Sequence, residues 1–69
     1  MQPSRLQATH AGKRFLIEDG GGGVGYYLYV FDNGRCTHDY LQDTVDLAKL
    51  CAAEEFGVPL QNWNMSAES

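Results

Sequence analysis

The sequence predicts an α+β domain, an antiparallel meander of three or four strands with one C-terminal helix packed on one face. Three observations predict it. Tyr26 to Asp32 is the densest block of aromatic and β-branched residues in the chain, the composition that suits a pleated, half-buried strand. Asn33-Gly34 follows directly and supplies the two positive-φ residues of a type I′ hairpin turn, so Arg35 to Leu41 should return antiparallel. From about Thr44 to Phe56 the apolar residues recur at helical spacing, and Gly57 and Pro59 stand where a helix should stop.

The elements follow in chain order. Met1 to Ser4 and Asn64 to Ser69 are polar and are expected to fray, leaving one domain across residues 1–69. Arg5 to His10 sets Leu6, Ala8 and His10 against Gln7 and Thr9, an edge strand that ends at Ala11-Gly12. In Lys13 to Asp19, Phe15 and Ile17 fall on one face while Arg14, Leu16 and Glu18 take the other. A glycine-rich loop, Gly20 to Gly25, then leads into Tyr26.

The Asn33-Gly34 turn fixes the register by pairing Asp32 with Arg35, so Tyr27 is expected opposite Tyr40, Tyr29 opposite His38 and Phe31 opposite Cys36. That face of the hairpin holds no carboxylate, Lys or Arg and is assigned to the core. The other face pairs Tyr26 with Leu41, Leu28 with Asp39 and Val30 with Thr37, and is expected to stay open. Asp43 or Thr44 can cap the helix. Its stripe of Val45, Ala48, Ala52 and Phe56, extended by Leu47 and Cys51, is expected to face the sheet, the two alanines allowing close approach to bulky aromatic residues. Trp63 is expected to fold back as a plug on the open end of the core.

Nine acidic residues against five basic give a net charge of −4, which repels nucleic-acid phosphates and argues against that partner. No stretch has the roughly 20 apolar residues of a membrane span, and no apolar segment follows the N-terminal residues. Cys36 and Cys51 are too sparse for a disulfide scaffold and fit a reducing compartment, so a cytoplasmic location is expected.

No catalytic, cofactor or metal signature stands out. Gly20, Gly22 and Gly25 satisfy the spacing G-x-G-x-x-G, but a strand follows where a dinucleotide site needs a helix. Cys36, His38 and Cys51 could converge on a metal, yet no C-x-x-C pair or fourth ligand accompanies them. Nucleophilic chemistry at either cysteine needs an exposed thiol of lowered pKa, and both are expected to be buried. Tyr26, Tyr27, Tyr29 and Tyr40 could form a base-stacking platform, with Arg5, Lys13, Arg14 and Arg35 as the nearby cations.

From Gly25 to Trp63 the runs G-Y-Y-L-Y-V-F-D-N-G and D-T-V-D-L-A-K-L-C-A-A-E-E-F-G-V, with the late Trp, resemble a group of short uncharacterised bacterial proteins built as a strand hairpin, one helix and a late Trp. The resemblance implies the fold and no activity. A small Sm-like or OB-like barrel plus helix is the alternative architecture, since glycine-rich corners permit bending.

The functional expectation is a non-enzymatic protein-interaction module that self-associates, a dimer first, or that meets another protein. A small nucleic-acid-binding barrel is the alternative, and a thiol or metal enzyme ranks third. Tyr26, Leu28 and Val30 on the expected open face, with Leu47 and Leu50 on the helix, are the candidate interface.

Overall fold

The computed structural model describes residues 5–65. Five antiparallel strands form one open sheet, β1 (Arg5–His10), β2 (Lys13–Asp19), β3 (Tyr26–Asp32), β4 (Arg35–Gln42) and β5 (Asn64–Met65), in the order β4-β3-β2-β1-β5. One helix, α1 (Val45–Phe56), packs on one face. This is the α+β meander expected, with a fifth strand added. The sheet does not close into a barrel, because its outer strands β4 and β5 do not pair with each other.

Both hairpin turns lie where the sequence puts them. Ala11 and Gly12 have φ of 52° and 80°, and Asn33 and Gly34 have φ of 57° and 79°, the left-handed pairs that match the twist of two antiparallel strands. Between β2 and β3 the glycine-rich loop is organised by packing. Asp19 accepts from the Gly21 N–H at 2.8 Å, and the Gly20 N–H donates to the Gly25 carbonyl at 2.8 Å. At Gly25, with φ 122°, a Cβ would lie 2.6 Å from the Gln42 carbonyl oxygen. Backbone approach to β4 therefore requires glycine there, and the chain continues into β3 as expected.

The helix is capped by Thr44, whose Oγ1 accepts from the Leu47 N–H at 3.1 Å, and it ends at Gly57 with φ 74°. Asp43 is left outside the cap. Ala48 and Ala52 are fully buried, with Val45, Cys51 and Phe56 packed at the margins. Leu47, expected to extend the stripe, faces outward at 43% exposure.

The core lies between α1 and one face of the sheet. Leu6 and Ala8 from β1, Phe15 and Ile17 from β2, and Leu28 and Val30 from β3 supply its floor. Val58 and Trp63 close its end, Trp63 after a 3-10 turn at Leu60–Asn62 that the Asn62 side chain ties to the Thr9 carbonyl at 3.1 Å. Each large buried aliphatic or aromatic side chain here contributes about 1.5–3 kcal/mol. Trp63 fills the role of plug, although its indole N–H has no hydrogen-bond partner among the described residues.

Four expectations need correction. First, the faces of the β3–β4 hairpin are exchanged. Leu28 and Val30 are fully buried and Tyr26 packs against the core, so the expected interface row Tyr26, Leu28 and Val30 is the helix-covered row. Tyr27, Tyr29 and Phe31 point away from the helix. The strand pairing explains why. Phe15 lies opposite Val30 and Ile17 opposite Leu28, whereas Arg14 lies opposite Phe31 and Glu18 opposite Tyr27. Residues directly opposite share a face, so the row with the tyrosines also carries the charges of β2.

Second, β4 contains a bulge. Asp32 pairs with Arg35 and Phe31 with Cys36 as expected, but Val30 then pairs with His38, leaving Thr37 as the extra residue. An unbroken ladder would set Asp39 opposite Leu28 on the buried face, and an unpaired carboxylate there is costly. The bulge instead sets Tyr40 opposite Leu28 and Asp39 opposite Tyr29. Third, Asn64–Met65 do not fray, because they pair with Leu6 and Gln7. The other end residues expected to fray, 1–4 and 66–69, lie outside the described residues. Fourth, Cys36 is exposed, against the expectation of burial, and Cys51 is half-buried.

Candidate functional site

With one helix covering one face, the opposite face of the sheet is left open among the described residues. Its residues form a lattice set by the strand register. Arg5, Glu18, Tyr27 and Leu41 make one cross-strand row. Gln7, Leu16, Tyr29 and Asp39 make the next, and Thr9, Arg14, Phe31 and Cys36 the third.

A ladder of aromatic rings runs along β3. Tyr27 and Tyr29 are stacked with centroids 5.8 Å apart and planes 21° off parallel, and Tyr29 meets Phe31 at 6.4 Å. The Arg14 guanidinium lies 5.1 Å from the Phe31 centroid, within cation–π range. Leu16 and Leu41 flank the ladder, Leu41 half exposed. Arg5 Nη2 donates to Glu18 Oε2 at 2.6 Å. Arg5 and Arg14 balance Glu18 and Asp39, so this face is locally neutral on a chain of net charge −4.

Tyr29 sits at the centre. Its hydroxyl is pushed above the ordinary tyrosine pKa, first by partial burial and then by Glu18, Tyr27, Asp39 and Cys36. All four repelling groups belong to this face, so Tyr29 presents a neutral hydroxyl at physiological pH that can donate or accept.

On the helix side, β4 contributes a smaller cluster. The His38 and Tyr40 rings are parallel at 6.3 Å, and both meet the Phe56 ring edge-on, at 5.3 Å and 6.5 Å. Burial, then Glu55 and Cys51, push the Tyr40 hydroxyl up. The Cys51 thiol is also raised, by burial first and Glu55 second, the opposite of what a nucleophilic thiolate needs. The bulge separates the set Cys36, His38 and Cys51. Cys36 lies on the open face opposite Phe31, whereas His38 turns toward Phe56 at the end of the helix.

Of the candidate interface, Leu47 and Leu50 remain exposed. They lie one turn apart, and Asp46 and Glu54 stand one turn before and one turn after Leu50, so the patch is narrow and acid-flanked. Tyr27, Tyr29, Phe31, Leu16, Leu41, Arg14 and Glu18 form the broader surface that the expected register had hidden. The alternation in β2 was the signal for it, because Arg14 and Glu18 share a strand face with Leu16.

Where the two hairpin turns lie side by side, Lys13, Arg14, Phe31 and Gly34 border an open depression of about 470 Å³. Lys13 there is 3.9 Å from Asp32. Among the described residues no cluster of three or more His, Cys, Asp or Glu is placed to hold a metal ion, and no helix is long and apolar enough to cross a membrane. No protein-family model, curated protein or solved structure matches the chain.

Proposed function

We propose that this chain is a non-enzymatic protein-interaction module that self-associates, and that it works through the open face of its sheet. The observation that carries the reading is the aromatic ladder Tyr27, Tyr29 and Phe31, flanked by Leu16 and Leu41 and left uncovered by the single helix. Aromatic side chains with a polar tip anchor protein interfaces because they bury large area at low entropic cost. A contiguous apolar patch rimmed by charge is the surface signature of such a site. The helix patch at Leu47 and Leu50 is the weaker candidate, because two copies meeting there would bring Asp46 and Glu54 together. The separation of Cys36 from His38 and the raised thiol of Cys51 support a role without chemistry. Two free thiols also suit a reducing, cytoplasmic setting.

Sedimentation or light scattering across a concentration series tests the proposal. Mass should rise toward a dimer in the micromolar range for the wild type and for Leu50→Lys, and Tyr29→Ala should abolish the rise. A wild type that stays monomeric at high micromolar concentration refutes self-association.

One observation favours a second reading. Stacked tyrosines beside an arginine also describe a platform for single-stranded nucleic acid. The balanced charge of the face and the net −4 oppose it, since such sites are basic. Titration of a labelled oligonucleotide at low and high salt decides the matter, and tight binding that weakens steeply with salt would replace the interaction reading.

A further inference from the structure

Self-association through the open face leaves its geometry undecided, and the charge pattern of that face decides it. A two-fold dimer formed face to face has its axis in the plane between the two sheets, and each surface must complement itself. Two axis directions suit the lattice. An axis along the strands, between β2 and β3, would exchange columns. Leu16 would then face Tyr29 of the second copy, Arg14 its Phe31, Glu18 its Tyr27, Arg5 its Leu41 and Asp39 its Gln7, so no charge would meet an opposite charge. An axis across the strands, at the level of Leu16 and Tyr29, would exchange the outer rows and keep the columns.

In that second arrangement Arg14 of each copy faces Glu18 of the other, because the two lie in one column of β2 on either side of Leu16. Phe31 likewise faces Tyr27 of the second copy, and Tyr29 and Leu16 meet their own counterparts at the centre. We infer that a second copy of this chain docks in this way, with Arg14 and Glu18 forming two symmetry-related ion pairs around a shared aromatic and leucine centre. The inference rests on the self-association reading above.

The remaining charges are consistent with it. Asp39 meets its own counterpart, but in the column of the edge strand β4, where solvent screens the repulsion. Arg5 faces Thr9 and stays paired to Glu18 within its own chain, so Glu18 stands between two guanidinium groups. Strand spacing of about 4.8 Å and a rise of about 3.4 Å per residue make the face about 15–20 Å on a side. At roughly 225–400 Å² per copy that is below the area of a stable specific interface, so the dimer is expected to be weak and transient.

The test uses the full chain and its charge-reversed forms. Arg14→Glu creates a face with only acidic groups in the β2 column, and Glu18→Arg creates one with only basic groups. Each alone should dimerise about tenfold or more weakly than wild type, because like charges then oppose each other across the axis. An equimolar mixture should recover the association. The glutamate introduced in one chain then faces the arginine introduced in the other, and the native Glu18 of the first faces the native Arg14 of the second. Both changes are on the exposed face, and unchanged emission from the buried Trp63 checks that each variant is folded. Should a reversal unfold the chain, Arg14→Gln and Glu18→Gln replace it, each expected to weaken the dimer without repulsion. A wild-type dimer indifferent to these changes, or reversed forms that do not recover on mixing, overturns this docking and leaves self-association standing. A monomeric wild type overturns both.

Discussion

Leu28 and Tyr29 are neighbours in β3, yet they belong to different environments. Leu28 is fully buried beneath the helix, and Tyr29 looks out over a face that no other element among the described residues covers. The helix-covered face of β1, β2 and β3 is built from Leu6, Ala8, Phe15, Ile17, Leu28 and Val30, none with a polar atom in its side chain. Tyr27 and Tyr29 take the open face, and Tyr26 and Tyr40 on the helix side are only half-buried at the margin of the core, since a buried hydroxyl needs a partner. The contrast teaches that in a small domain the largest apolar side chains need not form the core. Compact aliphatic groups suit a helix held close by Ala48 and Ala52, and rings with polar tips serve better where water or a partner can meet them.

The widest test of that contrast is to truncate each neighbour. Leu28→Ala should cost about 2–5 kcal/mol, the range for emptying a buried leucine site. A chain of this length has only about 3–5 kcal/mol of net stability, so much of the variant should be unfolded. Tyr29→Ala should cost about 1 kcal/mol, the scale of an exposed aromatic pair. Urea unfolding below the dimerisation range measures both, and equal losses would show that the two faces are not energetically distinct.

Much of the fold was legible because its signals are local. The two hairpin turns, the alternation in β1 and β2 and the Gly57 stop each depend on a few adjacent residues. The identity of the open face was not legible from the β3–β4 hairpin alone. That hairpin offers one row without charges, and only the β2–β3 pairing, with Arg14 opposite Phe31 and Glu18 opposite Tyr27, shows the same row to be charged elsewhere. The bulge was hidden for a different reason. Cys36-Thr37 has no glycine to mark it, and its cause lies in Asp39, which must avoid Leu28. β5 was hidden as well, since two residues carry no periodicity.

The bulge can be tested for its part in separating the faces. If Thr37 is the extra residue, its deletion leaves Phe31 opposite Cys36, Val30 opposite His38 and Leu28 opposite Tyr40. Stability should change by no more than about 1 kcal/mol, reflecting the lost bond from Thr37 Oγ1 to the Val30 carbonyl. The straighter edge strand should associate more readily through its free backbone groups. A loss of several kcal/mol would mean that the extra residue lies elsewhere in β4.

The two thiols report on the two sides separately. Cys36 is exposed on the open face, its Sγ only 3.5 Å from the His38 carbonyl, while Cys51 is half-buried with a raised pKa. An aromatic disulfide reagent should therefore modify Cys36 about tenfold faster at neutral pH, since the rate follows exposure and thiolate fraction. In the face-to-face dimer Cys36 opposes Leu41 of the second copy, so its rate should fall as protein concentration rises. The Cys51 rate should not. Concentration-independent rates at both positions would place the contact away from the open face.

The smallest effect, and the most specific, is expected from tyrosine ionisation. Tyr29 on the open face and Tyr40 on the helix side both titrate above the ordinary 10.0, burial being the first cause for each. The folded state then holds these protons more tightly than the unfolded chain does. Their contribution to stability is complete below pH 10 and declines as pH rises through that value, because the unfolded chain ionises first. Dimerisation should separate the two residues. Docking of a second copy buries Tyr29 further and brings another set of acidic groups toward it, so its pKa should rise with protein concentration. Tyr40, beside Phe56 and remote from the contact, should titrate identically at every concentration. Tyrosinate absorbance of wild type, Tyr29→Phe and Tyr40→Phe at low and high concentration distinguishes them. The concentration-dependent part should be reduced in Tyr29→Phe and unchanged in Tyr40→Phe, and an unchanged concentration dependence in both would move the interface off the aromatic ladder.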